Sequence, residues 1–162
     1  MHTTRSIEHA FTVRAPLASV AAFHRDTAVL PRLTPPPVRV QLGRVEPLAE
    51  GSVSEFTLWF GPVPVRWRAV HTDVDPLHGF TDTQASGPMR YWRHAHRFEA
   101  QGPSATRVTE HIAYAHHPGA RGLASRMLFN RVALRLMLAY RAFVMRRALE
   151  GAAAPYERAL GR

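Results

Sequence analysis

Alternation of apolar and polar residues dominates the first two-thirds of the chain. Residues 7–14 (IEHAFTVR) alternate with a period of two and predict a first strand. Pro16 opens a helical pattern through Val20, Ala21, Ala22 and Phe23, proline being suited to the first turn of a helix. A second short helix is predicted over 27–33, stopped by the run Thr34-Pro35-Pro36-Pro37. Between Val38 and Ala115 the pattern predicts six further strands, at 38–43, 52–60, 64–74, 78–86, 90–100 and 105–115. Glu50-Gly51, Gly61-Pro62, Asp75-Pro76, Ser86-Gly87-Pro88 and Gly102-Pro103 supply the turns between them. Connections this short imply an antiparallel meander.

The alternation also sorts side chains onto faces. Phe56, Leu58, Phe60, Val65, Trp67, Ala69, Phe80, Trp92, Phe98, Val108, Ile112 and Tyr114 share one face. Glu55, Arg66, Arg68, Arg93, Arg97, Glu99, Arg107 and Thr109 share the other. The first is a core face and the second a solvated one.

After Pro118-Gly119 the pattern changes to a helical one that runs to about Gly151. Phe129, Ala133, Leu136, Tyr140, Phe143 and Val144 form one stripe at three- and four-residue steps, with Arg131, Arg135 and Arg146 roughly opposite. A second apolar flank holds Leu123, Met127, Leu134, Leu138 and Met145, so the helix is apolar over a wide arc and needs a curved sheet around it. The predicted architecture is α+β: a seven-stranded curved antiparallel sheet, two short helices and a long C-terminal helix. One domain spans 1–151, and 152–162 is expected to form a flexible tail.

Composition narrows the function classes. The 162 residues are enough for one domain with a real core. There is no cysteine, which excludes disulfides, thiolate metal sites and cysteine nucleophiles. All 21 basic residues are arginine, so Schiff-base chemistry on a lysine is excluded too. The formal charge of +9 comes with abundant alanine and proline and a single asparagine, a skew that codon pressure in a GC-rich genome produces. No specific nucleic-acid binding is expected from charge without a motif. The arginines leave open a peripheral contact with an anionic membrane, and homo-oligomers are equally open. With no run of about eighteen apolar residues and no signal-peptide pattern, a cytoplasmic location is expected.

The order of elements, together with Arg66-Trp67, Gly79-Phe80-Thr81-Asp82-Thr83-Gln84, Gly87-Pro88 and Trp92-Arg93-His94-Ala95-His96-Arg97-Phe98, resembles the START-like (SRPBCC) superfamily, the polyketide cyclase/dehydrase and lipid-transport group. Leu33-Thr34-Pro35-Pro36 is similar to a bacterial branch of ligand-binding members, some fused to nucleotide-sugar-epimerase-like domains. That pattern usually has Phe after Gly-Pro and Asp in the seventh strand, where this chain has Met89 and Glu110. The resemblance implies the helix-grip fold and a hydrophobic ligand such as a lipid, isoprenoid or polyketide-like compound. It leaves the substrate open, since one fold hosts transporters, cyclases, hydrolases and plain binders.

The core face also carries ionisable groups. Strand pairing through the short turns sets His71 near Asp82, Asp82 near His94, and His96 near Glu110, all with inward parity. Three readings fit. The groups form a satisfied polar ladder that fixes register. They grip the polar end of a ligand whose apolar body meets Phe56, Leu58, Trp67, Phe80, Trp92, Phe98, Leu136 and Tyr140, with His71 and Tyr114 beside it. Or His94 or His96 acts as a general base oriented by Asp82 or Glu110, with Tyr114 as donor, for aldol cyclisation, dehydration or isomerisation. Binding without turnover is favoured over cyclase/dehydrase chemistry. His94-x-His96 with Asp82, Glu110 or His71 could also ligate a metal, but core alternation accounts for the same pattern, so neither metal nor cofactor is expected.

Overall fold

The structure, a computed structural model, describes residues 4–159. Seven strands, β1 (Arg5–Val13), β2 (Arg39–Val45), β3 (Val53–Phe60), β4 (Val63–Asp75), β5 (Gly79–Ser86), β6 (Tyr91–Ala100) and β7 (Thr106–Ala115), form one sheet in the order β1-β7-β6-β5-β4-β3-β2. Every pairing is antiparallel; short turns require this from β2 through β7, and β7 then lies antiparallel beside β1. The sheet curves around the C-terminal helix in a helix-grip arrangement. No helix among the described residues is long and apolar enough to cross a membrane.

Helix α1 (Leu17–Arg25) follows Pro16, which sits at its N-cap, and turns Val20, Ala21 and His24 inward. The second short helix expected over 27–33 contracts to a 3₁₀ turn at Thr27–Val29 followed by irregular turns. The single long helix expected after Gly119 is broken. A 3₁₀ turn (Gly119–Gly122) leads to α2 (Leu123–Leu128), and α3 begins afresh at Arg131. Asn130, the only asparagine in the chain, makes the break. Its Oδ1 accepts from the Ala133 amide at 2.9 Å, capping α3, and its Nδ2 donates to the Met127 carbonyl at 2.9 Å. The interruption lets Phe129, 6% exposed, drop into the interior. The backbone stays helical past Gly151 to Ala159, and residues 160–162 of the expected tail lie outside the described residues.

The rotation of α3 also differs from expectation. The flank Leu134, Leu138 and Met145 is buried, together with Arg141 and Ala142, whereas Leu136 and Phe143 on the other stripe are 64% and 59% exposed. Both stripes are apolar, so burial area alone does not choose between them. Arg141 does, because only this rotation brings its guanidinium to Glu110 on β7.

The interior is two apolar clusters. One gathers Ile7, Trp67, Trp92, Ile112, Tyr114, Phe129, Leu134 and Leu138. The other gathers Phe11, Val20, Phe80, Phe98, Val108, Ala142 and Met145 beneath α1. Along β6 the inward residues read Trp92, His94, His96, Phe98, and along β7 Val108, Glu110, Ile112. A charged seam therefore crosses the sheet between the two clusters.

Gly79 sets how closely β5 and β6 approach beneath that seam. It has φ +130°, and a Cβ there would overlap the backbone carbonyl of His96. Gly102 has a similar φ of +113° with open space around it. Gly102→Ala should therefore cost about 1–2 kcal/mol of backbone strain. Gly79→Ala should exceed about 4 kcal/mol, since the backbone of a paired strand must move as well. Urea denaturation of both variants checks this, and equal losses would contradict the close-approach argument.

Candidate functional site

A cavity of about 250 Å³ lies between the inner face of the sheet and the helices. β3 contributes Phe56, Leu58 and Phe60, β4 Trp67 and Ala69, and β6 Trp92. The α2–α3 junction adds Leu128, Phe129, Leu134 and Met137, and the segment after α1 closes it with Val29, Leu30, Leu33 and Pro35. The aromatic wall is tightly packed. Trp67 meets Trp92 edge-on with centroids 5.2 Å apart, stacks on Phe56 at 6.1 Å, and meets Phe129 at 5.7 Å. The polar end of the cavity is the seam: His24, His71, Asp82, His94, His96 and Arg141.

Strand register builds the seam. His71 stands opposite Asp82, Asp82 opposite His94, and His96 opposite Glu110. The side chains then link diagonally as well as directly. His71 Nε2 lies 3.1 Å from Asp82 Oδ1, and its Nδ1 lies 3.0 Å from the Ser52 carbonyl. His96 Nε2 lies 3.1 Å from Asp82 Oδ2, and its Nδ1 lies 3.3 Å from Glu110 Oε1. Arg141 reaches Glu110 Oε1 at 3.5 Å, and His94 Nε2 stands 3.8 Å from the same oxygen.

Protonation follows from the partners. His71 lies between the Ser52 carbonyl and Asp82, and His96 between Asp82 and Glu110, surroundings that favour the protonated form of both rings. Burial pulls their pKa values down, but hydrogen bonds and charge from Asp82, and for His96 also Glu110, outweigh it and raise both. Burial works against ionised Asp82 and Glu110. Hydrogen bonds from His71 and His96 hold Asp82 far below the usual carboxylate range, and His96 and Arg141 do the same for Glu110. His94 is pushed well down by burial and by the His96 charge, and stays neutral. His24 is lowered to about 4, again by burial and then His96. With both rings protonated, three cations face the two carboxylates of the seam.

Several seam atoms are buried without a hydrogen bond of good geometry: His24 Nε2, His94 Nε2, His96 Nδ1 despite Glu110 at 3.3 Å, Glu110 Oε2 and the Arg141 Nε. His24 Nδ1 donates to the Val20 carbonyl at 2.9 Å, which fixes the tautomer and leaves Nε2 as a bare lone pair. A filled core keeps few such atoms, and here they cluster beside a cavity. The Asp82 side chain is 26% exposed against 1% for Glu110, so Asp82 is the carboxylate that opens to the cavity. Two sets of three side chains, Asp82–His94–His96 and His24–His96–Glu110, each bring one potential metal-ligand atom per residue within 4.8 Å of the others.

Of the residues singled out from the sequence, Phe56, Leu58, Trp67, His71, Phe80, Asp82, Trp92, His94 and His96 line the cavity. Glu110 lies behind its wall, linked to His96 and Arg141. Phe98 and Tyr114 are packed in the core, 2% and 0% exposed, away from the wall. Leu136 is a correction: it faces outward at 64% exposure, because Arg141 turns the opposite flank of α3 inward. Tyr140, half-buried, is carried off the wall by the same rotation. Sequence reasoning missed His24 and Arg141. Each had a signal, a polar residue at helical spacing on a buried stripe: His24 four after Val20, and Arg141 among Leu134, Leu138 and Met145.

No protein-family model and no curated protein sequence matches the chain. Solved structures match it in fold. The Zhui aromatase/cyclase from Streptomyces sp. R1128 aligns over 98% of this chain and 99% of its own, with TM-score 0.67 and 20% identity. Norcoclaurine synthase from Thalictrum flavum, in complex with dopamine and hydroxybenzaldehyde, aligns over 93% and 88%, with TM-score 0.69 and 16% identity. Major latex-like protein 151 from Panax ginseng aligns over 90% and 97%, with TM-score 0.66 and 12% identity. These likenesses show the fold of the chain, a curved antiparallel sheet gripping a long C-terminal helix.

Removing the Glu110 carboxylate should leave Arg141 and His96 as buried cations with no anion between them. Glu110→Ala is expected to destabilise by about 3–5 kcal/mol, and Glu99→Ala on the solvated face by less than about 0.5 kcal/mol. Urea denaturation monitored by circular dichroism measures both. A Glu110→Ala loss no larger than that of Glu99→Ala would contradict the seam described above.

Proposed function

We propose that this protein binds a compact hydrophobic molecule with an oxygen function at one end, held between the sheet and α3. The observation that carries this reading is the cavity itself, which has aromatic and aliphatic walls over most of its surface and bare polar atoms gathered at one end. Its volume of about 250 Å³ exceeds the roughly 150 Å³ that holds one benzene. It falls short of the roughly 300–1,000 Å³ of pockets for larger ligands. A one- or two-ring aromatic, a short isoprenoid or a short polyketide-like chain fits those bounds, and a two-chain lipid does not. The volume also counts against a purely structural domain with a filled core.

A second reading is favoured by one observation: His94 is neutral, with an unpartnered Nε2 on the cavity wall. An imidazole in that state is a proton acceptor, so cyclisation or dehydration of a carbonyl-bearing ligand is the chemistry it would support. The aromatase/cyclase and synthase neighbours lend this reading weight through the fold alone.

Naphthol serves as a probe, read by energy transfer from Trp67 and Trp92. Saturable one-to-one binding is expected, and Ala69→Leu, which fills the cavity from β4, should weaken it at least about tenfold, or 1.4 kcal/mol. Leu136→Ala on the outer face should leave it unchanged. The binding reading fails if naphthol does not saturate, or if both variants bind as the wild type does. With a poly-carbonyl substrate, loss of turnover in Asp82→Asn and His94→Ala with naphthol binding retained would establish the catalytic reading.

A further inference from the structure

The two histidines of β6 and the aspartate of β5 converge on one point at the cavity wall. His94 and His96 are two residues apart on a strand, so both rings leave the same face, and their centroids are 4.0 Å apart. Asp82 stands in register with His94 and already holds His96 Nε2 at 3.1 Å through Oδ2. One ligand atom from each of the three lies within 4.8 Å of the other two. Tetrahedral coordination with bonds of about 2.0–2.2 Å sets ligand atoms roughly 3.2–3.6 Å apart. The His96–Asp82 pair, at 3.1 Å, is already near that spacing, and the His94 ligand atom lies within 4.8 Å of both.

The surroundings hold these ligands in the way metal ligands are usually held. Asp82 Oδ1 is tied to His71 Nε2 at 3.1 Å, and Oδ2 is the oxygen that meets His96 Nε2. His96 Nδ1 faces Glu110 Oε1 at 3.3 Å, the outer carboxylate that orients a ligating imidazole. His94 Nε2 is buried and unpartnered. All three residues line the cavity, so further coordination positions open toward it. The alternative set, His24–His96–Glu110, depends on Glu110, which lies behind the cavity wall and is already engaged by Arg141 at 3.5 Å.

We propose that Asp82 Oδ2, His94 Nε2 and His96 Nε2 bind one divalent transition-metal ion, with open coordination positions facing the apolar cavity. Two imidazoles and one carboxylate with free positions suit Fe²⁺ or Zn²⁺. The ion takes the place of the proton that His96 Nε2 shares with Asp82. From the sequence no metal is expected, because core alternation accounts for His94, His96 and Asp82 sharing one face. The site goes beyond the small-molecule reading and stands without it, since the ion needs no organic ligand to bind.

Untagged protein stripped with EDTA and dialysed is titrated with Co²⁺, followed by visible absorption, and then with Zn²⁺. One Co²⁺ per chain with ligand-field bands is expected, displaced by Zn²⁺. Asp82→Asn and His94→Gln should each abolish saturation. Glu110→Gln should weaken binding about 10–100-fold, and His78→Ala on the exposed β4–β5 turn should change nothing. Sub-stoichiometric uptake by the wild-type protein overturns the proposal, as does stoichiometric uptake that survives the Asp82→Asn, His94→Gln double substitution. The wild-type titration decides the matter alone if a variant fails to fold.

Discussion

Two carboxylates enclosed beneath a curved sheet, Asp82 and Glu110, constrain everything packed around them. An ionised carboxylate out of water costs several kcal/mol unless cations and donors surround it. Here the surroundings alternate in sign, from the His71 imidazolium through Asp82, the His96 imidazolium and Glu110 to the Arg141 guanidinium. The chain of contacts runs across β4, β5, β6 and β7 and ends on α3. A slip of register between any two of those strands would strand a charge, so the seam specifies the pairing at least as strongly as the apolar face does.

The same constraint turns the C-terminal helix. α3 has two apolar stripes, Leu134, Leu138 and Met145 on one and Leu136, Tyr140 and Phe143 on the other. Docking Arg141 on Glu110 selects Leu134, Leu138 and Met145 and leaves Leu136 and Phe143 in solvent. With that flank inward, and with Asn130 interrupting the helix so that Phe129 turns in, the helices and sheet do not close completely. The space that remains is the cavity, apolar along Phe56, Trp67, Trp92 and Phe129 and charged at the seam. Chemistry and shape thus share one origin: the groups that satisfy the buried charges form the polar end of the cavity. The solved structures that resemble the chain share its fold, and any choice of ligand rests on this chain's own residues.

Much of this was readable before the structure, for a physical reason. Side chains on a strand alternate strictly, so parity alone placed Phe56, Trp67 and Trp92 inward with His71, Asp82, His94, His96 and Glu110. Short turns then fixed which of these face each other, and the register has His71–Asp82, Asp82–His94 and His96–Glu110 opposed as expected. A helix offers no such parity rule. On α3 the rotation is set by a single long-range ion pair, so Leu136 and Tyr140 were assigned to a wall they do not reach. The diagonal contact of His96 with Asp82 is beyond reach as well, and the spacing of His24 after Val20 shows a buried face of α1 but not that it meets the seam. Both depend on the curvature of the sheet and on which helix lies across it.

The most direct test of a ligand cavity charged at one end is a crystal structure of the protein purified without extraction of bound small molecules. The account predicts continuous non-protein density between Trp67 and Trp92, ending against Asp82 and His94, with Leu136 in solvent. An interior closed by rotated Phe56, Trp67 and Phe129 side chains, with no space between sheet and α3, would contradict it.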